Sequence, residues 1–316
     1  MNLAVLIVML LGGFVLLIKG ADLFVDGACG LSEKLKIPAY LVGMTVVAFG
    51  TSLPEAAVSV TASIQGSNAI AIGNVIGSNT FNTLVVLGSS AIIAPVLVKD
   101  KLLRRDFPFC LAISVLLLIL IVTLGNGQIA LTRADGIILL ILFVIFMAGS
   151  IIGAKKEAVP ETSGQQAEMK LWKCILLIII GIAGVIIGGQ LTVTGAKGLA
   201  RMIGLSETVI GLTVIAVGTS LPELVTSIVA ARKGQNDIAV GNVIGSNIFN
   251  ILFILGMSAV ISPMITDSYA IIDCCMLIAV SLVPFVFALF KRKINRPMGI
   301  FMLLMYVAYT SYLLIR

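Results

Sequence analysis

The sequence contains no histidine and has few aromatic or charged residues. Of its 316 residues, 11% are charged and 6% are aromatic, whereas 59% are apolar. A soluble domain carries about a quarter of charged residues, so the surface of this chain is suited to lipid and not to water. Without histidine the chain also lacks the general base of Ser-His-Asp and Cys-His catalysis and the commonest transition-metal ligand.

The charge balance and the cysteines exclude two further classes of protein. The chain has 21 lysines and arginines against 15 acidic residues, but no basic stripe or aromatic stacking platform, which excludes nucleic-acid binding. Its five cysteines are odd in number and lie mostly within apolar runs. There they behave as small hydrophobic residues and not as a disulfide framework.

What the sequence does contain is a series of long apolar runs. An apolar helix needs about 20 residues to cross the hydrocarbon of a bilayer. The runs therefore predict ten transmembrane helices, at 3–27, 37–65, 70–94, 107–124, 133–154, 171–195, 205–231, 237–261, 269–290 and 297–315. We expect an all-α integral membrane protein whose main partner is the lipid bilayer.

An internal repeat divides the chain into two halves. The 46 residues from Gly43 align without a gap with the 46 residues from Gly211, at an offset of 168, and 28 positions are identical. This predicts a first five-helix repeat at 1–154, a polar linker at 155–170 and a second five-helix repeat at 171–316. Because five is an odd number, the second repeat must enter the membrane from the opposite side, which gives an inverted repeat.

The loop charges predict the orientation. If the ten spans are correct, 16 lysines and arginines lie in the loops of one side and only four on the other, with Lys19 inside the first span. By the positive-inside rule, the 155–170 linker is cytoplasmic and both termini are extracytoplasmic. We expect a multi-pass protein of the plasma membrane.

Two motifs occur once in each half and are expected to interrupt the helices. GTSLPE, at 50–55 and 218–223, places a proline in mid-membrane, so one half-helix should end near Gly50 and another should start at Ser52. Ser52 and Glu55 also match a capping box. GNVIGSN, at 73–79 and 241–247, is expected to break its span in the same way. We therefore predict broken helices 2, 3, 7 and 8.

The glutamates of the first motif are the candidate functional residues. Glu55 and Glu223 could each merely cap a half-helix, but a carboxylate near the bilayer midplane is costly and functional by default. Inverted packing would bring the two together beside many oxygen donors. These donors are the hydroxyls of Thr51, Ser52, Ser78, Thr219, Ser220 and Ser246, the amides of Asn82 and Asn250, and the carbonyls freed by the breaks. The set suits calcium, or sodium ions that share the same oxygens, and not copper or zinc.

For any single serine or threonine, a hydrogen bond between helices is the alternative role. Two further acids, Asp22 and Asp26, have Gln190 and Thr194 at their repeat positions. Because they lack the symmetry of the glutamates, we expect them to have a structural role.

In these motifs the sequence resembles the calcium/cation antiporter superfamily, specifically a compact prokaryotic form of its sodium/calcium exchanger branch. The paired GTSLPE and GNVIGSN segments look like its two alpha-repeats, and the resemblance covers essentially the whole chain. It implies ten helices, alternating access, and exchange of calcium against sodium without a cofactor. The linker is far too short for the calcium-sensing domains of animal relatives.

Carried over by position, the resemblance implies that Glu55 and Glu223 are the central calcium ligands. It also implies a lining of Thr51, Ser52, Thr219, Ser220, Ser78, Ser246, Asn82 and Asn250, with the carbonyls of Ala48 and Ala216 contributing to sodium coordination. The chain departs from several relatives at Asn250, where they have Asp. This departure changes the charge of the site, and with it the expected affinity, stoichiometry and role of potassium or protons.

Two other functions compete with sodium/calcium antiport. A channel-like, proton-coupled or potassium-coupled carrier could use the same pocket. An intramembrane enzyme could use the two glutamates as acid and base, but the sequence has no cofactor motif or activated nucleophile. We expect a transporter and not an enzyme, with transported calcium and sodium, no resident cofactor and no obligate protein partner.

Overall fold

A computed structural model describes residues 2–123, 129–156, 169–204, 216–266 and 268–315. The helices of these ranges are α1 (Leu3–Leu35), α2 (Ala39–Thr51), α3 (Leu53–Ile64), α4 (Asn68–Ile93), α5 (102–123), α6 (Arg133–Lys156), α7 (Leu171–Met202), α8 (Ala216–Thr219), α9 (Leu221–Arg232), α10 (Asn236–Ile261), α11 (Ser268–Lys291) and α12 (Arg296–Ile315). Four short strands connect them: β1 (Val96–Leu97), β2 (Ala130–Leu131), β3 (Met264–Ile265) and β4 (Lys293–Ile294).

Most of these helices have the length and composition of membrane spans. Among the described residues, seven helices are long and apolar enough to cross a bilayer, and the bent pair α2 and α3 makes an eighth. Of the two other predicted spans, 205–231 lies partly outside the described residues, and 297–315 coincides with the 20-residue helix α12. The chain is therefore a multi-pass helical membrane protein.

The outer faces of the helices are apolar. Val8 of α1, Val144 of α6 and Leu304 of α12 expose 69%, 64% and 62% of their surfaces. Large apolar side chains at such exposure are stable in lipid and costly in water. The glutamates and serines of the GTSLPE motifs are buried inside the helix bundle. Most residues in the apolar stretches of α4 and α10 are buried there as well.

Helices α1 and α7 form a close antiparallel pair. Gly13 of α1 faces Thr192, whereas Gly27 faces Cys174, so the start of one helix lies beside the end of the other. A Cβ atom on Gly181 would lie 2.5 Å from the backbone nitrogen of Phe24. Glycine is needed there because the two backbones approach too closely for any side chain.

The strands join loops that are far apart in sequence. β1 pairs with β4, which brings the α4–α5 connection beside the α11–α12 connection, and β2 pairs with β3. Near β1, Asp100 also pairs with Arg292, and Lys99 pairs with Asp237 at the start of α10. These contacts place the α4–α5, α9–α10 and α11–α12 connections at the same end of the bundle. All three carry lysines or arginines.

Candidate functional site

The proline motif breaks its helix where the sequence predicts. α2 ends at Thr51, α3 begins at Leu53, and the two segments are bent by 49°. The second half has the same arrangement, because α8 ends at Thr219 and α9 begins at Leu221. Both prolines lie in the first turn after the break, which is the turn that tolerates proline. The predicted interruption of helices 2 and 7 is thus present in the described residues.

The capping box is wrong. Neither Ser52 nor Ser220, which occupy the two breaks, makes a side-chain capping hydrogen bond to its own helix. The Ser52 hydroxyl instead donates to Oε1 of Glu223 at 2.8 Å, and the Ser220 hydroxyl donates to Oε1 of Glu55 at 3.0 Å. Each serine therefore binds the glutamate of the other half, which the sequence pattern of a single helix does not reveal.

These two exchanged hydrogen bonds bring the glutamates together in the centre of the bundle. Glu55 and Glu223 are both fully buried. Each lies in the first turn of a 12-residue helix, where the helix dipole favours a negative charge. The arrangement holds two carboxyl groups in the interior of the bundle, away from its surface.

Several buried oxygens around the glutamates have no hydrogen-bond partner in the described part of the chain. Oε2 of both glutamates is in this state, and so are the oxygens of Ser78, Ser246, Thr219, Asn82 and Asn250. An unpartnered buried oxygen is costly, and each such case needs an explanation. Two carboxylate oxygens among hydroxyls and amide oxygens form the donor set that hard cations prefer.

Helices 3 and 8 are not broken at GNVIGSN, which corrects the predicted fold. In α4 the α-helix runs through Asn68–Phe81, and in α10 it runs through Asn236–Phe249. Each then continues through a π-helical turn, Asn82–Val86 in α4 and Asn250–Leu255 in α10. Glycine only weakens a helix, by about 1 kcal/mol relative to alanine, and tertiary packing overrides that cost.

The π turns begin at the two asparagines that the sequence places in the site. Asn82 and Asn250 are both fully buried. The turn of α10 packs against α3, which carries Glu55, and the turn of α4 packs against α9, which carries Glu223. Each asparagine therefore begins a turn that packs against the helix carrying the glutamate of the other half. π-helical turns of this kind occur frequently at functional sites.

A second pair of asparagines supports the glutamate helices from behind. The side-chain nitrogen of Asn74 donates to the Ser59 hydroxyl at 2.9 Å, and that of Asn242 donates to the Ser227 hydroxyl at 3.0 Å. Both nitrogens also reach the backbone carbonyl of the adjacent glutamate, at 3.4 and 3.5 Å. The sequence pattern of a single helix indicates no such role for these four residues, although all four are identical between the repeats.

The two threonines of the motif differ in their contacts. The Thr51 hydroxyl lies 3.1 Å from Oδ1 of Asn242 and also approaches the carbonyls of Val47 and Ala48. The hydroxyl of its repeat counterpart, Thr219, has no hydrogen-bond partner among the described residues. The Ala48 carbonyl thus contacts the Thr51 hydroxyl. Its repeat counterpart, Ala216, is the first residue of α8 and directly follows residues 205–215, which are outside the described part of the chain.

Asp22 and Asp26 form a separate cluster outside the site. Both carboxylates bind the Lys233 ammonium group, at 3.0 and 2.8 Å. Lys233 lies in the connection between α9 and α10, so the cluster ties α1 to the second half. Partial burial lowers the pKa of Lys233, but hydrogen bonds to Asp26 and Asp22 outweigh this and hold it above its ordinary value.

Comparison with known proteins identifies the family. The family described as "Sodium/calcium exchanger protein" matches residues 5–152 and 173–315. The chain is 32% identical to the sodium/calcium exchanger MaX1 of Methanosarcina acetivorans, over 95% of this chain and 96% of that protein. It is 41% identical to the inner membrane protein YrbG of Escherichia coli, over 81% of this chain and 79% of that protein.

A solved structure of the sodium-calcium exchanger NCX_Mj, soaked with 10 mM Na⁺ and zero Ca²⁺, has the same fold. It matches with a TM-score of 0.86 and 33% identity, over 98% of this chain and 99% of that one. The family match covers both halves of the chain, including both copies of each motif. The chain therefore belongs to the sodium/calcium exchanger family.

Proposed function

We propose that this protein exchanges sodium for calcium across the membrane by alternating access, with Glu55 and Glu223 as its central cation site. The observation that carries the proposal is the exchanged pair of serine–glutamate hydrogen bonds to Oε1, together with the two buried Oε2 atoms, which have no hydrogen-bond partner among the described residues. A transported cation supplies the missing partner. Two carboxylates compensate one divalent calcium ion, and sodium ions can use the same oxygens.

In this proposal the remaining ligands are the residues that line the two breaks and the π turns. They are Thr51, Ser52, Thr219, Ser220, Ser78, Ser246, Asn82 and Asn250, together with the carbonyls of Ala48 and Ala216. The neutral oxygens complete the six to eight ligands that calcium takes. Because none of them adds charge, the site carries only the two negative charges of the glutamates.

The proposed architecture is two inverted five-helix repeats, 1–154 and 171–316, joined by the linker 155–170. The antiparallel pair α1–α7 supports it, and so do the exchanged contacts between the motifs. The strand pairing and ion pairs at one end of the bundle support the grouping of basic connections on one side. In the plasma membrane this side is cytoplasmic, and both termini are extracytoplasmic.

A proton-coupled or potassium-coupled calcium antiporter is the second candidate, and Asn250 is the observation that bears on it. Several relatives have Asp at this position, which adds a negative charge to the site. The residue at position 250 therefore bears on which ions are exchanged for calcium or accompany it. A site with only two carboxylates favours sodium without potassium.

Calcium-45 uptake into sodium-loaded proteoliposomes tests both candidates. We expect uptake that requires an outward sodium gradient and is unchanged by potassium or by a pH gradient. Uptake that persists after sodium is replaced by choline would contradict sodium coupling. Uptake that requires potassium or an opposing proton gradient would favour the second candidate.

A further inference from the structure

The amide of Asn79 has a fixed orientation. Asn79 is fully buried in α4, and its side-chain nitrogen donates to the backbone carbonyl of Asn247 at 3.1 Å. A backbone carbonyl can only accept a hydrogen bond, so the nitrogen of Asn79 must point towards it. Oδ1 of Asn79 therefore points the other way, towards α10 and Asn250.

This orientation determines which atom of Asn250 is available to a cation. The side-chain nitrogen of Asn250 donates to Oδ1 of Asn79 at 2.9 Å, and Oδ1 of Asn250 has no partner among the described residues. If the Asn250 amide were flipped, two acceptor oxygens would face each other at hydrogen-bonding distance, and the amide nitrogen would face the site. A cation is attracted by an amide oxygen and repelled by an amide N–H group.

Among the described residues, the amide of Asn82 in the first half is held by no equivalent hydrogen bond. The repeat counterpart of Asn79 is Asn247, whose side-chain nitrogen donates to the Thr83 hydroxyl at 2.9 Å. Thr83 itself corresponds to Ile251, whose side chain cannot accept a hydrogen bond. Correspondingly, both amide atoms of Asn82 lack a hydrogen-bond partner in the described residues. Asn82 and Asn250 are thus held differently, although they occupy equivalent positions in the two repeats.

We infer that Asn79 is a positioning residue, which fixes the amide of Asn250 so that its oxygen faces the transported cation. The inference rests on the proposed function, because it takes Asn250 as a ligand. Asn79 itself does not contact the cation. It gives the site an oxygen of fixed orientation, whereas the described residues hold the amide of Asn82 by no such hydrogen bond.

A double-mutant cycle separates this role from a merely structural one. The apparent KM for calcium is measured by calcium-45 uptake for the wild type, Asn79→Leu, Asn250→Ala and the double variant. We expect each single substitution to raise KM about tenfold, which corresponds to about 1.4 kcal/mol. The double variant should raise it no further, because the orientation of residue 250 is irrelevant once its oxygen is removed.

The matched control is Asn247→Leu, which removes the repeat counterpart of Asn79 without touching the side chain of Asn250. In the double variant of Asn247→Leu and Asn250→Ala, the increase in KM should equal the product of the two single increases, because the two residues act independently. Multiplying effects for Asn79→Leu and Asn250→Ala would overturn the inference, and so would a wild-type KM in Asn79→Leu. Asn79→Ser serves the same cycle if the leucine variant does not fold.

Calcium binding measured without transport distinguishes the failure of this inference from the failure of the proposed function. The calcium-induced rise in melting temperature of the purified protein gives the same cycle for binding alone. If the wild type does not exchange calcium for sodium, the proposed function fails, and the binding cycle still decides the role of Asn79. If exchange is normal and the cycle is multiplicative, only the role of Asn79 fails.

Discussion

Ser52 and Glu223 lie 171 positions apart in the chain and are joined by a 2.8 Å hydrogen bond between Oγ and Oε1. The symmetric bond from Ser220 to Glu55 completes the exchange. Because each half supplies the donor that orients the carboxylate of the other, neither half contains a complete site. Any cation held between the glutamates is held by both halves at once.

Replacing either glutamate should nearly abolish exchange. We expect Glu55→Gln and Glu223→Gln each to reduce calcium uptake by about a hundredfold or more, because removal of one partner of a buried charge pair costs about 3–5 kcal/mol. Calcium-45 uptake into sodium-loaded proteoliposomes measures the effect. Glu33→Gln, at the end of α1 and away from the site, should retain uptake. Folded glutamine variants that transport at the wild-type rate would remove the glutamates from the site.

The exchanged serine bonds should contribute to affinity and less to the maximal rate. We expect Ser52→Ala and Ser220→Ala each to raise the apparent KM for calcium about threefold to thirtyfold, as for the loss of a hydrogen bond of about 1–2 kcal/mol to a charged group. Ser90→Ala is the matched control, because the buried Ser90 hydroxyl binds only the Val86 carbonyl of its own helix. If all three variants behaved alike, the cross-repeat bonds would have no part in ion binding.

A third carboxylate at position 250 should change the ion preference. Asn250→Asp adds a negative charge to the site, and the charge of the ligands determines calcium affinity. The new carboxylate would also face Oδ1 of Asn79, which now accepts a hydrogen bond from the amide. We expect a shifted apparent calcium affinity or a flux that responds to potassium or pH.

Asn82→Asp is the comparison for this substitution, because it adds the same charge where the described residues offer no such acceptor. The dependence of flux on calcium, potassium and pH is measured for both variants. An Asn250→Asp protein with unchanged dependence on all three would show that position 250 is outside the site. Damage to folding with no change in ion preference would indicate a hydrogen bond between helices as its only role.

The cluster of Lys233 with Asp22 and Asp26 should make a small, salt-dependent contribution to stability. Partly exposed ion pairs contribute about 1 kcal/mol or less, so Lys233→Met should lower the Tm by less than about 4 °C. Because the pKa of Lys233 is raised, this contribution is complete below pH 10.5 as long as both aspartates are ionised, and it is lost as the pH rises through the raised pKa of the lysine.

Thermal unfolding at pH 7 measures the effect of Lys233→Met, and Lys233→Arg, which keeps the positive charge, is the control. The difference between Lys233→Met and the wild type should shrink at high salt, which screens exposed charges. A difference of the same size in low and high salt would show that packing, and not charge, ties α1 to this connection.

The orientation in the membrane can be tested with single cysteines. In a Cys275→Ser background, which removes the exposed native thiol, a cysteine is placed at Asn2 or at Ser163. An impermeant maleimide applied to intact cells should label position 2 and not position 163. The opposite result would reverse the proposed topology, and labelling after permeabilisation confirms that both thiols are reactive.

The sequence was sufficient to predict most of the described helices and the breaks at GTSLPE, whereas the ligand residues around the glutamates stay a prediction. The proline at position 54 disfavours a helical conformation for the residues just before it, so the break at Ser52 could be predicted from the local sequence. The internal repeat then predicts the second break, because identical residues at an offset of 168 indicate equivalent positions in the two halves.

Three features of the motifs could not be predicted from the local sequence. Glycine permits a helix to bend without requiring it, so GNVIGSN looked like a break, whereas neighbouring helices keep it helical. Ser52 matched a capping box, but its hydroxyl has a stronger partner in the carboxylate of Glu223. The supporting role of Asn74 and Asn242 could not be predicted either, because it depends on Ser59 and Ser227 in an adjacent helix.

The contacts between α1 and α7 are reciprocal, as at the interface of a twofold dimer. Gly13 faces Thr192, and the equivalent Gly181 faces Phe24; Gly27 faces Cys174, and the equivalent Gly195 faces Leu6. A molecule built from two identical inverted halves would have the same free energy when open to either side of a symmetric membrane. Every difference between paired residues removes part of that equality.

The Lys233 cluster is one such difference. Its equivalents, Gln65, Gln190 and Thr194, carry no charge, so the ion pairs exist at one end of the bundle without a charged counterpart at the other. In the proposed alternating-access cycle, ion pairs that persist in only one conformation contribute their free energy directly to the resting ratio of inward-open to outward-open molecules. The repeated fold would then give both conformations similar free energies, and residues that differ between the halves would determine how often each is occupied.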